Sequence, residues 1–308
     1  MSVAAAADRP GTAATAARFS PSWIADRLSK LVLHIAVIGL TVAWVVPTLG
    51  ILVTSFRPFS KIATSGWWTA LSPQYSFTLE NYSKVLSSSG LGQSFFNSFM
   101  ITIPATIVPI AIAAFAAYAF SWMKFWGRDW IFLAIVGVLA IPLQLSFVPV
   151  LSFFVAHGLT SSNLTWAPFL PVWLAHTGYG LPFSIYLLSN FFRALPAELF
   201  ESAEIDGAGT LTVFFRIVLP LSVPALASLI IFQFLWIWND LLVALIYVGG
   251  SPQVAPLTVT LANLTNSLGQ GYHLLTAAAF FSMLIPLIVF LSLQRYFVRG
   301  ILAGSVKG

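Results

Sequence analysis

Sixty-three consecutive residues, Trp130 to Phe192, carry no formal charge. Similar gaps recur: 26 residues between Lys30 and Arg57, 39 between Lys84 and Lys124, 23 between Arg216 and Asp240, and 54 between Asp240 and Arg295. A water-facing domain needs polar side chains to clothe its surface, whereas a hydrocarbon core about 30 Å thick takes about 20 apolar residues per helix. The whole chain is 58% hydrophobic and 7% charged, against roughly 25% charged in an average soluble domain. A soluble enzyme, a disordered regulator and a disulfide-stapled secreted domain are excluded together. The absence of cysteine removes thiolate catalysis and Cys-based metal sites. These features describe an integral membrane protein.

The charged residues then act as punctuation. Polar or turn-rich stretches at Ser87–Gln93, His157–Asn163 and Gly249–Gln253 divide the longer gaps. Six transmembrane helices are predicted, at about 31–55, 94–120, 130–156, 166–191, 222–247 and 274–297, with Asp240 inside the fifth. Continuous apolar runs favour helices over the ten-residue alternation of barrel strands. With the N-terminus inside, the cytoplasmic segments hold 11 of the 14 Lys and Arg residues, and only Arg57, Lys61 and Lys84 fall outside. This positive-inside bias predicts that both termini are cytoplasmic. It also accounts for the net charge of +5, which is therefore no nucleic-acid signal. Residues 1–22, rich in Ala, Thr and Ser, read as a disordered cytoplasmic segment and not as a signal peptide. Residues 23–308 form the transmembrane domain. Pro104, Pro109, Pro142, Pro149 and Pro286 are expected to kink their spans.

One inside loop breaks the charge pattern. Between the fourth and fifth spans, residues 193–221 contain four of the nine acidic residues: Glu198, Glu201, Glu204 and Asp206. Pro196 suits the first position of a helix, with acids favoured in its first turns by the helix dipole. Spacing of three keeps Glu198, Glu201 and Glu204 near one face, and Gly207 and Gly209 allow a tight turn. A short acidic helix–turn–helix of this kind is either a solvated connector or a docking knob for a soluble partner.

The order of residues favours docking. Glu201-Ser202-Ala203, three residues, Gly207, nine residues, then Ile217-x-Leu219-Pro220 matches the EAA motif, with Ser202 replacing the usual Ala. The chain thereby resembles the permease subunits of bacterial ABC importers. Ser76-FTLENYSKVL, Phe96-Asn97-Ser98, Trp238-Asn239-Asp240-Leu241 and the terminal Gln294-RYFVRGILAGSVKG extend the likeness to the maltose-type, MalG-like carbohydrate permeases.

That resemblance implies an all-α membrane protein with the type I ABC importer transmembrane-domain fold. It also implies a coupling role for Glu201, Ser202, Ala203, Glu204, Asp206, Gly207, Leu219 and Pro220 against a cytoplasmic ATPase. The terminal tail, residues 298–308, is a second expected ATPase contact through Gly304, Ser305 and Lys307. Further implied partners are a second homologous permease, two ATP-binding cassette subunits and an extracytoplasmic solute-binding protein, all at the bacterial cytoplasmic membrane. The chain has no GxxxxGK[ST] loop to hold a nucleotide. ATP and Mg are therefore expected on the partner, with no cofactor and no metal on this chain. Asp240, an acid within a span, must face a partner or a watery cavity. With Trp236, Trp238 and Asn239 it offers either a sugar pathway or a structural hydrogen bond to a neighbouring helix. Lone His34 and His176 lack metal-ligand spacing. The expected cargo is a sugar, with α-glucoside or glucose-type substrates suggested by the last 60 residues and glycerol 3-phosphate the alternative. An ion-coupled secondary transporter is a further alternative, although it would normally show several intramembrane charges. A membrane enzyme lacks any HExxH, GxSxG or DDxxD-like signature here.

Overall fold

The computed structural model describes residues 21–72, 77–88, 90–160, 167–264 and 271–305, and contains no strand among the described residues. Helices dominate because, in lipid, each backbone N–H and C=O must find its partner within its own segment. The elements are α1 (Pro21–Ser55), a helical turn at Phe59–Ile62, a 3-10 turn at Trp67–Leu71, α2 (Glu80–Ser88), α3 (Leu91–Trp122), α4 (Arg128–Val138), α5 (Phe147–Ala156) and α6 (Leu170–Arg193). They continue with α7 (Ala197–Ile205), α8 (Thr210–Leu221), α9 (Val223–Trp238), α10 (Leu242–Tyr247), α11 (Leu257–Ala262) and α12 (Tyr272–Ser305). Most of the expected N-terminal segment, residues 1–20, lies outside the described residues, as do Ser76, Ser161–Asn163 and Lys307.

Among the described residues three single helices are long and apolar enough to cross a membrane: Asp26–Ser55, Leu91–Trp122 and Tyr272–Arg295. The expected third span is instead a bent pair, α4 and Leu143–Ala156 meeting at 97°. Pro142 stands at this bend, where it cannot donate to the preceding turn, and the chain continues through a 3-10 turn at Leu143–Ser146. Of the five prolines expected to kink spans, Pro142 alone lies between helices; Pro104 and Pro109 lie within α3, Pro286 within α12, and Pro149 in the first turn of α5. A second bend, of 73°, separates α8 from α9. The expected fifth span is also interrupted, because α9 ends at Trp238 and α10 begins at Leu242. Asp240 therefore sits in a helix break, not inside a helix. Counting each bent pair as one span gives five. Helix α6 coincides with the expected fourth span but carries His176, Tyr179, Ser184, Ser189 and Asn190. The fully buried His176, Ser184 and Ser189 are tolerated because protein, not lipid, surrounds them.

The core forms along α3 and α6, which pack over most of their length. Ala113, Ala114 and Ala117 of α3 bring the backbones close to Ile185, Leu188 and Phe192 of α6, the small-residue device of helix pairs in lipid. Side-chain amides fix the connecting segments. Asn81 donates to the carbonyls of Ser55 and Arg57 at 2.9 and 2.8 Å, pinning the end of α1. Asn97 donates to the carbonyls of Gln253 and Ala255 at 3.0 and 3.1 Å, while Ser98 Oγ accepts from Leu257 N at 2.8 Å. The Phe96-Asn97-Ser98 motif thus clamps the strand-free return between α10 and α11 onto the start of α3.

Candidate functional site

Two regions concentrate polar chemistry. The first is the acidic loop. Pro196 is the residue immediately before α7, with φ −60° and ψ 130°, one position earlier than its expected place in the first turn. At the other end Gly207 takes φ +72°. Gly207 N–H donates to Glu204 O at 3.0 Å and Ala208 N–H to Ala203 O at 2.9 Å, the paired bonds of a Schellman cap, which favours glycine at the left-handed position. Gly209 is extended and precedes α8. Glu198, Glu201, Ser202, Glu204, Asp206 and Gly207 are all exposed.

Ala203 does not join that surface. It is 6% exposed and packs against the bundle with Phe192, Val213 and Phe214, so its small side chain lets α7 approach its own chain. Phe200 stacks on Trp122 with ring centroids 3.5 Å apart, and Trp122 Nε1 donates to Phe192 O at 2.9 Å. Arg193 lies over the Phe132 ring at 4.7 Å. The loop is therefore fastened to the ends of α3, α4 and α6. Leu219 is half-buried and Pro220 exposed, within α8 beyond a π-helical turn at Phe214–Val218. Gly304 and Ser305 continue the backbone of α12.

The second region is a cleft of about 280 Å³ between α6 and α9, lined by Tyr179, Gly180, Phe183, Phe232, Gln233 and Trp236. Gln233 is 3% exposed, and its amide nitrogen has no hydrogen-bond partner among the described residues. A Cβ at position 180 would overlap that amide, so glycine makes room for it. One turn away, His176 is fully buried and neither ring nitrogen is hydrogen-bonded among the described residues. Its Nε2 lies 3.8 Å from Asp240 Oδ2, beyond hydrogen-bond range, and Trp236 presents its ring edge-on at 5.3 Å. Tyr179 Oη is 2.7 Å from Tyr247 Oη and accepts from Ser146 Oγ at 3.0 Å. This ties the cleft to the bend between α4 and α5.

The expected pathway residues separate. Trp236 lines the cleft. Trp238 is instead packed among Phe95, Phe99 and Phe234 and donates to Ser282 O at 3.3 Å. Asn239 donates to Leu235 O of its own helix at 2.7 Å. Asp240 caps α10, its carboxylate accepting from Val243 N at 3.4 Å and Ala244 N at 3.0 Å, which also suits the positive end of a helix. Sequence reasoning missed Tyr179, Gly180 and Gln233. The available signal was that Gln233 is the one carboxamide between Arg216 and Trp238.

Residues 109–303 match the family of binding-protein-dependent transport system inner membrane components. The osmoprotective compounds uptake permease protein GgtD of Synechocystis sp. is 53% identical over 281 residues, covering 90% of this chain and 92% of that protein. The alpha-glucoside transport system permease protein AglG of Rhizobium meliloti is 51% identical over 242 residues, 79% of this chain and 63% of that longer protein. In fold, the chain is similar to a chain of a bacterial ABC transporter involved in alginate import, with a TM-score of 0.73 at 20% identity over 91% of this chain and 99% of that one. This multi-pass helical membrane protein belongs to the inner membrane component family of binding-protein-dependent transport systems, the permease subunits of ABC importers.

Proposed function

We propose that the chain is the permease subunit of an ATP-driven importer for an uncharged sugar of the α-glucoside class, working in a bacterial cytoplasmic membrane. The observation that carries the coupling part is the exposed acidic face of α7, closed by the left-handed turn at Gly207, within an otherwise charge-poor chain. On this reading α6 is a span beside the three single helices and two bent pairs, giving six, with both termini cytoplasmic. Glu201, Ser202, Glu204, Asp206 and Gly207 meet the ATPase. Acidic side chains pair with its Arg or Lys, while Ala203, Leu219 and Pro220 hold the loop's shape. Gly304, Ser305 and Lys307 form a second contact. The assembly comprises a second homologous permease, two ATP-binding cassette subunits carrying ATP and Mg, and an extracytoplasmic binding protein; this chain holds no cofactor.

Support for the sugar class comes from relatives. AglG is named for alpha-glucosides, and MelC of Bacillus subtilis, 32% identical over 75% of this chain, for melibiose, raffinose and stachyose import. The test is uptake of labelled maltose, trehalose and sucrose into proteoliposomes holding the whole complex. Vanadate-sensitive uptake that survives a protonophore is expected. Uptake that ignores vanadate and collapses with the protonophore refutes the ATP-driven reading.

A further inference from the structure

We propose that the cleft between α6 and α9 is a sugar-contact site supplied by this subunit itself, with the Gln233 side-chain amide hydrogen-bonding a hydroxyl of one uncharged pyranose ring. The inference rests on the sugar-import reading above and assigns its contact to particular atoms.

A buried carboxamide left without a partner is costly, and polar side chains within membrane spans face a partner or a water-filled cavity, not lipid. The Gln233 side chain lines the cleft, and its amide nitrogen, buried against Gly180, has no partner among the described residues. It is held there by Gly180, where a Cβ would displace it. A carboxamide both donates and accepts, which matches the double character of a sugar hydroxyl. The walls are aromatic: Tyr179, Phe183, Phe232 and Trp236, of which Phe183, Phe232 and Trp236 are exposed at the mouth. Apolar walls with few convergent polar groups are the usual make-up of a small-molecule site, and ring faces suit the C–H surface of a pyranose. About 280 Å³ falls at the small end of such sites, about 300–1,000 Å³, which fits one ring and not an oligosaccharide.

The charges around the cleft select against an anion. No Lys or Arg lines it, and the nearby Asp240 carboxylate is occupied by two backbone N–H groups. A phosphorylated cargo would find no counter-charge among the lining residues.

The test uses the complete importer in proteoliposomes with carbon-14-labelled maltose, trehalose and sucrose. Gln233→Met keeps the volume and removes the hydrogen bonds; Gly180→Ala pushes the Gln233 amide aside. Each should lower uptake at subsaturating sugar about fivefold, the value of one hydrogen bond of typical strength. Binding-protein-stimulated ATP hydrolysis and the thermal midpoint should hold. Should Gln233→Met fail to assemble, Gly180→Ala decides alone. Uptake within twofold of wild type in the assembled variants overturns the site. So does a parallel fall of uptake, hydrolysis and midpoint, which marks a merely structural role. Hydrolysis by the wild-type complex without uptake of any of the three sugars overturns the sugar reading itself, a separate failure.

Discussion

Replacing Gly207 separates the fold of the acidic loop from its docking. The residue takes φ +72°, and a Cβ built there meets nothing within 4 Å. Within this chain a substitution therefore has one cost, that of holding an L-residue in the left-handed region, about 1–2 kcal/mol. Gly207→Ala and Gly207→Leu share this cost, since their side chains enter open space. Both should lower the thermal midpoint of the detergent-purified chain by a few degrees and by nearly equal amounts. In the assembled importer they should part. The Leu side chain projects where the ATPase is proposed to seat, whereas the Ala methyl barely does. ATP-dependent sugar uptake and co-purification of the ATPase should therefore survive in Gly207→Ala and fall at least about tenfold in Gly207→Leu, equivalent to about 1.4 kcal/mol of lost contact. Equal uptake by the two variants refutes docking at this turn. A stability gap between them above about 1 kcal/mol refutes the open-space argument.

The contacts around this loop and the Asn97 clamp carry further expectations. Phe200→Ala removes a half-buried ring stacked on Trp122. The loss should be about 2 kcal/mol, half that of a fully buried Phe, and hydrogen exchange across residues 197–205 should accelerate. Asn97→Asp is isosteric but replaces the donor that serves two carbonyls with an acceptor; thermal denaturation should report a loss of about 2–3 kcal/mol. Ser202→Cys places the sole thiol of the chain on an exposed position. A membrane-impermeant maleimide should label it only from the cytoplasmic side, and labelling only from outside would invert the proposed topology.

Which features were legible in the sequence depends on the range of the interaction behind them. Apolar runs fix the existence of helices because burial in lipid is a property of each segment alone. The bends are different. Pro104, Pro109, Pro142, Pro149 and Pro286 look alike in sequence, yet Pro142 alone separates helices. Pro149 falls in a first turn, where its missing N–H costs nothing, and the others rely on packing for compensation. Asp240 reads as a charge within a span until the backbone breaks to let it cap α10. Adjacency in sequence groups the expected pathway residues, but Trp236 and Trp238 lie about 200° apart on a helix and cannot share a face. The i, i+3 relation of Gln233 to Trp236, and of His176 to Tyr179, is legible beside the lone carboxamide. Only the pairing of α6 with α9 joins those two faces, and that pairing is tertiary.

The same pairing gives the proposed coupling a mechanical form. The walls of the cleft are the helices that run into the acidic loop: α6 continues through Ala194–Pro196 into α7, and α9 emerges from α8 through the 73° bend. Gly180 lies about 20 Å along α6 from Arg193, at 1.5 Å per residue. The Phe200–Trp122 stack and the Arg193–Phe132 contact keep the loop from swinging free of these rods. On the proposed coupling, a push on α7 enters one wall through the Ala194–Pro196 connection, while the other wall receives it through the 73° bend. Unequal transmission moves the walls relative to each other, so that the cleft changes shape instead of translating as a whole. Cysteines introduced at Phe183 and Phe232, one on each wall, joined by a short bifunctional maleimide, should then abolish uptake while sparing the singly labelled variants. Undiminished uptake with the crosslink formed quantitatively would mean that the two walls move as one body, and this lever would be wrong.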